Sequence, residues 1–305
     1  MISILYIKVR QLFKKFIFFI FPENSKIINI FVSFDIFLRR LGFLNDIHKG
    51  KFEFQGLTFY NAKNDISIEA SIITNNTYEP EVIKSIKSTL NNGSTFIDGG
   101  ANIGFFSLIA SKIVGPTGTV IAFEPTPSTF NYLKKNININ KINNIIINDK
   151  GLSSTEKQLP FLLKSNNPEA NHIISKEDES LHDENQIIKI STISIDKYCD
   201  ENKIKKIDLI KLDIEGQEFE AIKGAREILS INQNVKIIFE LNIAFKKNGI
   251  EFAKEIFTEL NKLNFFNFET LLNPRISIKN LNNSEDLELI KKITNRHNVN
   301  ILAYR

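Results

Sequence analysis

The stretch Phe96–Ser107, FIDGGANIGFFS, runs from apolar residues into an acid, a glycine pair and then a helical apolar pattern. Asp98 is followed by Gly99, Gly100, Ala101, Asn102, Ile103 and Gly104. Small residues let a ligand approach the backbone, and the helix that follows presents free N–H groups there. Glu124 closes a second apolar run 26 positions after Asp98. A carboxylate at that place can accept hydrogen bonds from both hydroxyls of a ribose. Two further acids, Asp213 and Glu215, stand in KLDIEGQE, and Glu240 ends the run IIFEL. These acids are the residues from which a nucleoside site and its chemistry are to be built.

Two nucleoside cofactors compete for such a site. A dinucleotide wants G-x-G-x-x-G, and the spacing from Gly100 to Gly104 skips the middle glycine. A diphosphate would also meet Asp98 at close range. A sulfonium cofactor such as S-adenosylmethionine carries positive charge and no phosphate, so an acid at the end of the first strand suits it. A nicotinamide-dependent oxidoreductase and a non-catalytic nucleoside-binding module are the alternatives. Intact Asp98, Glu124 and Asp213 count against a degenerate module.

Methyl transfer to a hydroxyl needs alignment of acceptor, methyl and sulfur, together with a base or a metal near the methyl. Asp213, Glu215, His172 and Glu240 are the candidates: the first three as catalytic groups, with Asp213 and Glu240 holding the acceptor. Asp213 and Glu215 could equally cap the helix that Gly216 opens. The DIE stretch lacks the histidine or third carboxylate of a convincing metal site, so no metal ligand is assigned and a divalent cation stays open. His172 stands in the polar run EANHIIS, whereas His48, His182 and His297 have no motif around them.

The elements that must position these residues follow a repeating rhythm of apolar strand, turn and amphipathic helix. Strands are predicted at Thr95–Asp98, Thr119–Glu124, Ile145–Asn148, Asp208–Asp213 and Val235–Leu241. One helical stripe is Ile103, Phe106, Ala110 and Ile113; a second is Phe130, Leu133 and Ile137, opened by Thr126-Pro127. A third is Phe219, Ile222, Ala225 and Leu229. Such βα units give a parallel sheet with helices on both faces, whose ligand sits beyond the carboxyl ends of the strands. The spacing also predicts a lead-in hairpin over Phe52–Thr77, a helix over Glu81–Asn91, another over Glu251–Leu263, and an antiparallel pair from FFNFET and NILAYR. Residues 155–186 read as an inserted polar loop or hairpin.

The chain of 305 residues, 42% hydrophobic and 24% charged, has the composition of a globular protein. Its net charge of +4 is spread along the sequence and argues only weakly for nucleic acid, so no nucleic-acid partner is expected. The one cysteine, Cys199, excludes an internal disulfide framework and fits a reducing, cytoplasmic setting. Residues 1–50 read as a helical, Phe-rich extension ahead of the domain over 51–305. Within it, Leu12–Pro22 is too short to span a bilayer, and it lacks a cleavage signal. With Lys8, Arg10, Lys14 and Lys15 beside it, residues 1–40 could lie peripherally on the inner face of a membrane.

The blocks TFIDGGANIGFFSLIASKIVGPTGTVIAFEPTPSTFNYLKKN, NDKGLSS, STISIDKY and IDLIKLDIEGQEFEAIKGA resemble, in order and spacing, the FkbM-type methyltransferase family over Asn91–Asn242. The resemblance implies a class I S-adenosylmethionine-dependent α/β fold: a mostly parallel, seven-stranded, Rossmann-like sheet ending in an antiparallel hairpin. It implies O-methylation of a small-molecule or glycan acceptor. By position, Asp98, Gly99, Gly100, Ala101, Asn102 and Gly104 would line the methionine half of the cofactor and Glu124 the ribose. Lys150, Gly151 and Leu152 would meet the adenine edge. Gly99 stands where family members more often carry an aliphatic residue, which should loosen the turn slightly.

Overall fold

The computed structural model describes residues 50–61, 67–163, 171–174, 186–242, 249–279, 283–294 and 298–305. The N-terminal extension, including its expected membrane-facing stretch, lies outside them, as do His48, His182 and His297. The chain divides into two compact units, residues 1–78 and 79–305.

The described part of the first unit opens with an antiparallel hairpin of β1 (Lys51–Phe54) and β2 (Leu57–Tyr60). Its two-residue turn, Gln55 and Gly56, has φ of 48° and 70°, the left-handed pair that matches the twist of the strands. The Phe52 and Phe59 rings stack across it with centroids 5.1 Å apart. The hairpin was expected to extend to Thr77, but Ser67–Asn75 is helix α1. Its isoleucines fit both periods: Ile68 and Ile72, four apart, are both buried. Ser71 and Thr77 close its end through a 2.8 Å side-chain bond to the carbonyl.

The second unit begins with α2 (Pro80–Thr89), started by a proline at its first position. Then come β3 (Thr95–Gly99), α3 (Phe105–Val114), β4 (Thr119–Phe123), α4 (Pro127–Ile139) and β5 (Ile145–Asn148). Next are the short β6 (Gly151–Leu152), β7 (Gln158–Leu162), β8 (His172–Ile173) and β9 (Ile187–Ile193). Helix α5 (Ile195–Glu201), which the periodicity did not reveal, starts at Ser194, whose hydroxyl accepts from the Lys197 amide at 3.2 Å. The remainder comprises β10 (Leu209–Leu212), α6 (Glu218–Lys223), α7 (Arg226–Ile231), β11 (Lys236–Leu241), α8 (Gly249–Lys262), β12 (Asn267–Thr270), β13 (Ser277–Ile278), α9 (Ser284–Thr294) and β14 (Val299–Tyr304).

The main sheet has the order β13-β12-β14-β11-β10-β3-β4-β5. Strands β5, β4, β3, β10 and β11 run parallel, and β14 is antiparallel to both β11 and β12. The seven strands expected are therefore present in the class I methyltransferase arrangement. An eighth, the two-residue β13, extends the β12 edge. The chain runs outward from β3 to β5 on one side and from β10 to β11 on the other. The switch point lies between β3 and β10, and ligands of open α/β sheets gather beyond the carboxyl ends at such a place.

Two features bear on the site. The third apolar stripe is not one helix: it breaks at Gly224-Ala225 into α6 and α7. A Cβ at Gly224 would stand 2.3 Å from the Ser153 carbonyl oxygen, so the chain turns there to pass β6. Asp196 then caps α7, accepting from the Ile228 amide at 2.8 Å and the Glu227 amide at 3.0 Å. The polar run 155–186, expected as an inserted loop or hairpin, contains an antiparallel pair, β7 with β8, which joins β6 and β9 in a second sheet of order β6-β9-β7-β8. Residues 164–170 and 175–185 of that run lie outside the described residues.

Candidate active site

Strand β3 delivers Asp98 and Gly99 to the switch point, and the turn that follows is held from below. The amides of Gly100 and Ala101 both donate to the Phe123 carbonyl, at 3.0 and 2.9 Å. Gly100, Asn102 and Gly104 have φ of 75°, 51° and 88°, a run of left-handed residues that favours glycine. The glycines are also packed. A Cβ on Gly100 would fall 1.9 Å from the Asp213 carbonyl oxygen, so this residue is small because two strand ends cross there. Gly99 is equally confined: an added Cβ would meet Leu152 Cδ1 at 2.8 Å and Leu212 Cδ2 at 3.1 Å. It was expected to loosen the turn, yet it admits a close approach of β6 instead. Leu152, expected at the adenine edge, is fully buried beneath Gly99, whereas Lys150 is half-buried and pairs with Glu156 at 3.4 Å.

Asp98 has no exposed surface. Ser107 Oγ donates to its Oδ2 at 2.5 Å, while Oδ1 is buried and makes no hydrogen bond. Burial raises its proton affinity, and the Lys211 charge and the Ser107 bond oppose that shift. Glu124 is buried as well, and both its oxygens are taken up locally. Oε2 accepts from the Asn102 amide at 3.0 Å and Oε1 from the Thr126 amide at 2.9 Å. Burial raises its affinity for a proton, and the Thr126 and Asn102 bonds oppose it. Glu124 thus braces the glycine turn through both of its oxygens.

On the other side of the switch point the picture changes. Asp213 is half-buried just past β10, and its Oδ2 accepts from Lys211 Nζ at 3.0 Å. Lys211 is 1% exposed and its ammonium lies 4.8 Å from the Phe106 ring centroid. In the sheet it is the register partner of Asp98. Burial lowers its affinity for a proton, but Asp213, then Asp98 and Glu79, outweigh burial and hold it above that of an ordinary lysine.

Glu215 follows at φ 51°. The turn carrying both acids is stapled by Glu218, which is 1% exposed and whose Oε1 accepts from the Ile214 and Gly216 amides at 3.0 and 3.3 Å. Glu218 Oε2 is buried without a hydrogen bond. Burial first, then Asp213, raises its pKa to about 7 against its backbone bonds. Glu240 comes from β11, with Asn298 Nδ2 donating to its Oε1 at 3.1 Å. Burial, then the charges of Asp213, Glu215 and Glu218, push it up to about 10. Glu240 therefore favours its protonated form, in which it offers an O–H.

Asp213, Glu215 and Glu240 each place one carboxylate oxygen within 4.8 Å of the others. The third carboxylate that DIE itself lacks therefore arrives from β11. Such an all-oxygen anionic set is of the kind hard divalent cations take, and a shared proton also satisfies it, as at Glu240. Of the expected catalytic groups, His172 is not in this group: it sits in β8, paired with Leu162 of β7. Sequence reading missed Lys211, Glu218 and Glu79. The signal for Glu218 is its spacing, since an acid at the first residue of a short helix reaches back to the amides before it. Lys211 carries no such signal until β10 is laid beside β3.

Against this geometry the comparisons with known proteins are specific. The profile of the methyltransferase FkbM domain matches residues 98–266, more than half of the chain. The methyltransferase sdnD of Sordaria araneosa is 28% identical over 156 residues, 43% of this chain and 60% of that protein. Methyltransferase 1 of Beauveria bassiana is 24% identical over 149 residues, 43% of this chain and 58% of its own length. The chain thus spans about three-fifths of these two relatives. The hexuronic acid methyltransferase AglP of Haloferax volcanii is 28% identical over 190 residues, 61% of this chain and 73% of AglP. Among solved structures, M. jannaschii TYW2 in complex with AdoMet aligns at a TM-score of 0.40 and 14% identity, covering 83% of this chain and 84% of that one. With β3 through β11 carrying the glycine turn and its acids inside the matched span, this chain belongs to the FkbM methyltransferase family.

Proposed function

We propose that this protein transfers a methyl group from S-adenosylmethionine to a hydroxyl oxygen of a sugar-bearing acceptor. The observation that carries the reading is the pairing, across one switch point, of a braced glycine turn with a cluster of acids. The residues fit the cofactor: Asp98 Oδ1 is buried without a hydrogen bond at the head of the packed turn, and a carboxylate there favours a cationic ligand. Asp98 and the Gly99–Gly104 turn would flank the methionine end, and Glu124 would offer its free lone pairs to the ribose. When bound, the cofactor supplies an activated methyl carbon.

The chain's own part is orientation and proton management. Lys211 occupies one oxygen of Asp213, which leaves the other to receive the proton of an acceptor hydroxyl. The O–H of Glu240 can donate to a neighbouring acceptor oxygen and so fix the angle of approach. Glu218 keeps the Asp213–Gly216 turn in place. The sugar acceptor is supported by AglP, whose name gives a hexuronic acid as what that relative methylates.

Titration of the full chain with S-adenosylmethionine, S-adenosylhomocysteine and NAD tests the cofactor. Binding of the first two without NAD is expected; binding of NAD alone would point to an oxidoreductase and sink the proposal. Labelled methyl transfer to a panel of neutral and uronic acid glycosides then tests the acceptor class.

A further inference from the structure

The buried lysine at the switch point goes beyond that reading while resting on it. Lys211 lies on the strand next to the cofactor side, 1% exposed, opposite Asp98 in the β3–β10 register and 3.0 Å from Asp213 Oδ2. A lone buried ammonium would be costly, and the acids around it offset that cost. Asp213 is half-buried, and Asp98 is wholly buried with Oδ1 making no hydrogen bond. Glu79, at the start of α2, adds to the field on the lysine. Lys211 and Asp98 have almost no surface for a ligand to touch, so these two act on a bound molecule through their charge.

We infer that Lys211 is a specificity-determining residue that sets how strongly the crevice prefers the sulfonium form of the cofactor over its uncharged thioether product. S-Adenosylmethionine and S-adenosylhomocysteine differ by one methyl and one unit of positive charge at sulfur. The acids at the switch point favour the charged form, and Lys211 opposes them through a low-dielectric path where screening by salt is weak. A crevice without the lysine would hold the methyl donor too well. With it, the donor loses part of its advantage, and the difference between donor and product becomes moderate.

The test compares the two affinities by calorimetry on the full chain at about pH 8, where ordinary carboxylates are ionised. In Lys211→Met the preference for S-adenosylmethionine over S-adenosylhomocysteine should rise by about tenfold. In Asp213→Asn, which leaves the ammonium less compensated, it should fall by a comparable factor. Lys211→Arg keeps the charge and should stay within about threefold of the wild type. A purely structural lysine would weaken both ligands together and leave the ratio alone, so an unchanged ratio in either neutralising variant overturns the inference. Should Lys211→Met fail to fold, Lys211→Gln removes the same charge with a polar side chain and is read by the same ratio. A wild type that binds neither ligand refutes the cofactor reading itself, and that result is visible before any variant is made.

Discussion

The two sides of the switch point are built on opposite terms. On the β3–β4 side, Glu124 spends both oxygens on backbone amides, and the amides of Gly100 and Ala101 share the Phe123 carbonyl. On the β10–β11 side, Asp213, Glu215 and Glu240 crowd within 4.8 Å, and Glu218 and Glu240 are pushed up to about 7 and about 10. The first side is rigid because its polar groups are satisfied by the chain. The second holds protons it would release in water, a condition typical of groups that work on a substrate. Substitutions should therefore destabilise the first side, whereas neutral replacements of Glu218 and Glu240 should stabilise the second.

The largest effect is expected at Gly100. Its φ of 75° and a Cβ position 1.9 Å from the Asp213 carbonyl leave no room, so Gly100→Ala should lose about 4 kcal/mol or fail to fold. Urea unfolding followed by circular dichroism would measure it, and a wild-type midpoint would show that the two strand ends are not locked together. Glu124→Ala comes next. Two amides lose their acceptor, at an expected cost of about 2 kcal/mol in stability, with a parallel loss of S-adenosylmethionine affinity on the order of 1–3 kcal/mol. A drop in stability with affinity unchanged would confine Glu124 to bracing the turn.

How far this contrast was legible in the sequence differs between its halves. Strand ends could be read to within a residue or two, because each apolar run stops at an acid or a turn residue. Thr95–Asp98 became Thr95–Gly99, and Ile145–Asn148 was unchanged. The acids Asp98, Glu124, Asp213, Glu215 and Glu240 were found for the same reason. What they do was less legible, since it depends on partners far away in sequence. Glu240 looked like a base until β11 brought it to Asp213 and Glu215. Lys211 looked like an ordinary strand residue because a period of two cannot say which strand lies alongside. Helix α1 was hidden by isoleucines that satisfy both periods, and the α6–α7 break by a Gly224 whose neighbour, Ser153, is 71 positions earlier.

A stabilising substitution gives the sharper test of the acidic side. Glu240 in the folded protein keeps its proton up to about pH 10, against an ordinary value of 4.5. The unfolded chain gives up that proton at the lower pH, so the stability linked to this group is complete below pH 4.5 and declines as pH rises toward the folded value. Glu240→Gln, of similar shape and uncharged, avoids the decline. It should be more stable than the wild type at neutral pH by on the order of 2 kcal/mol, with no gain near pH 4. Denaturant midpoints of both proteins across that range would show it, and a constant difference between them would mean that the acids do not crowd. Methyl transfer by this variant should persist at a reduced rate, because an amide N–H can replace the lost O–H less directionally.

The smallest effect is expected at Glu218, whose pKa rises only to about 7. The same linkage applies over a narrower window: its stability contribution is present below about pH 4.5 and lost by about pH 7. Glu218→Gln should therefore exceed the wild type by on the order of 1 kcal/mol above pH 7 and match it below pH 4.5. Its amide oxygen can still accept from the Ile214 and Gly216 amides, which are now served by Oε1, so the Asp213–Gly216 turn should survive. Glu218→Ala removes that acceptor and should destabilise at every pH by about 1–2 kcal/mol. The pair separates the two roles of one side chain. If the glutamine variant lost as much stability as the alanine variant, Glu218 would be needed as a charge, and the acidic side would be braced by its carboxylates in the same manner as the glycine turn.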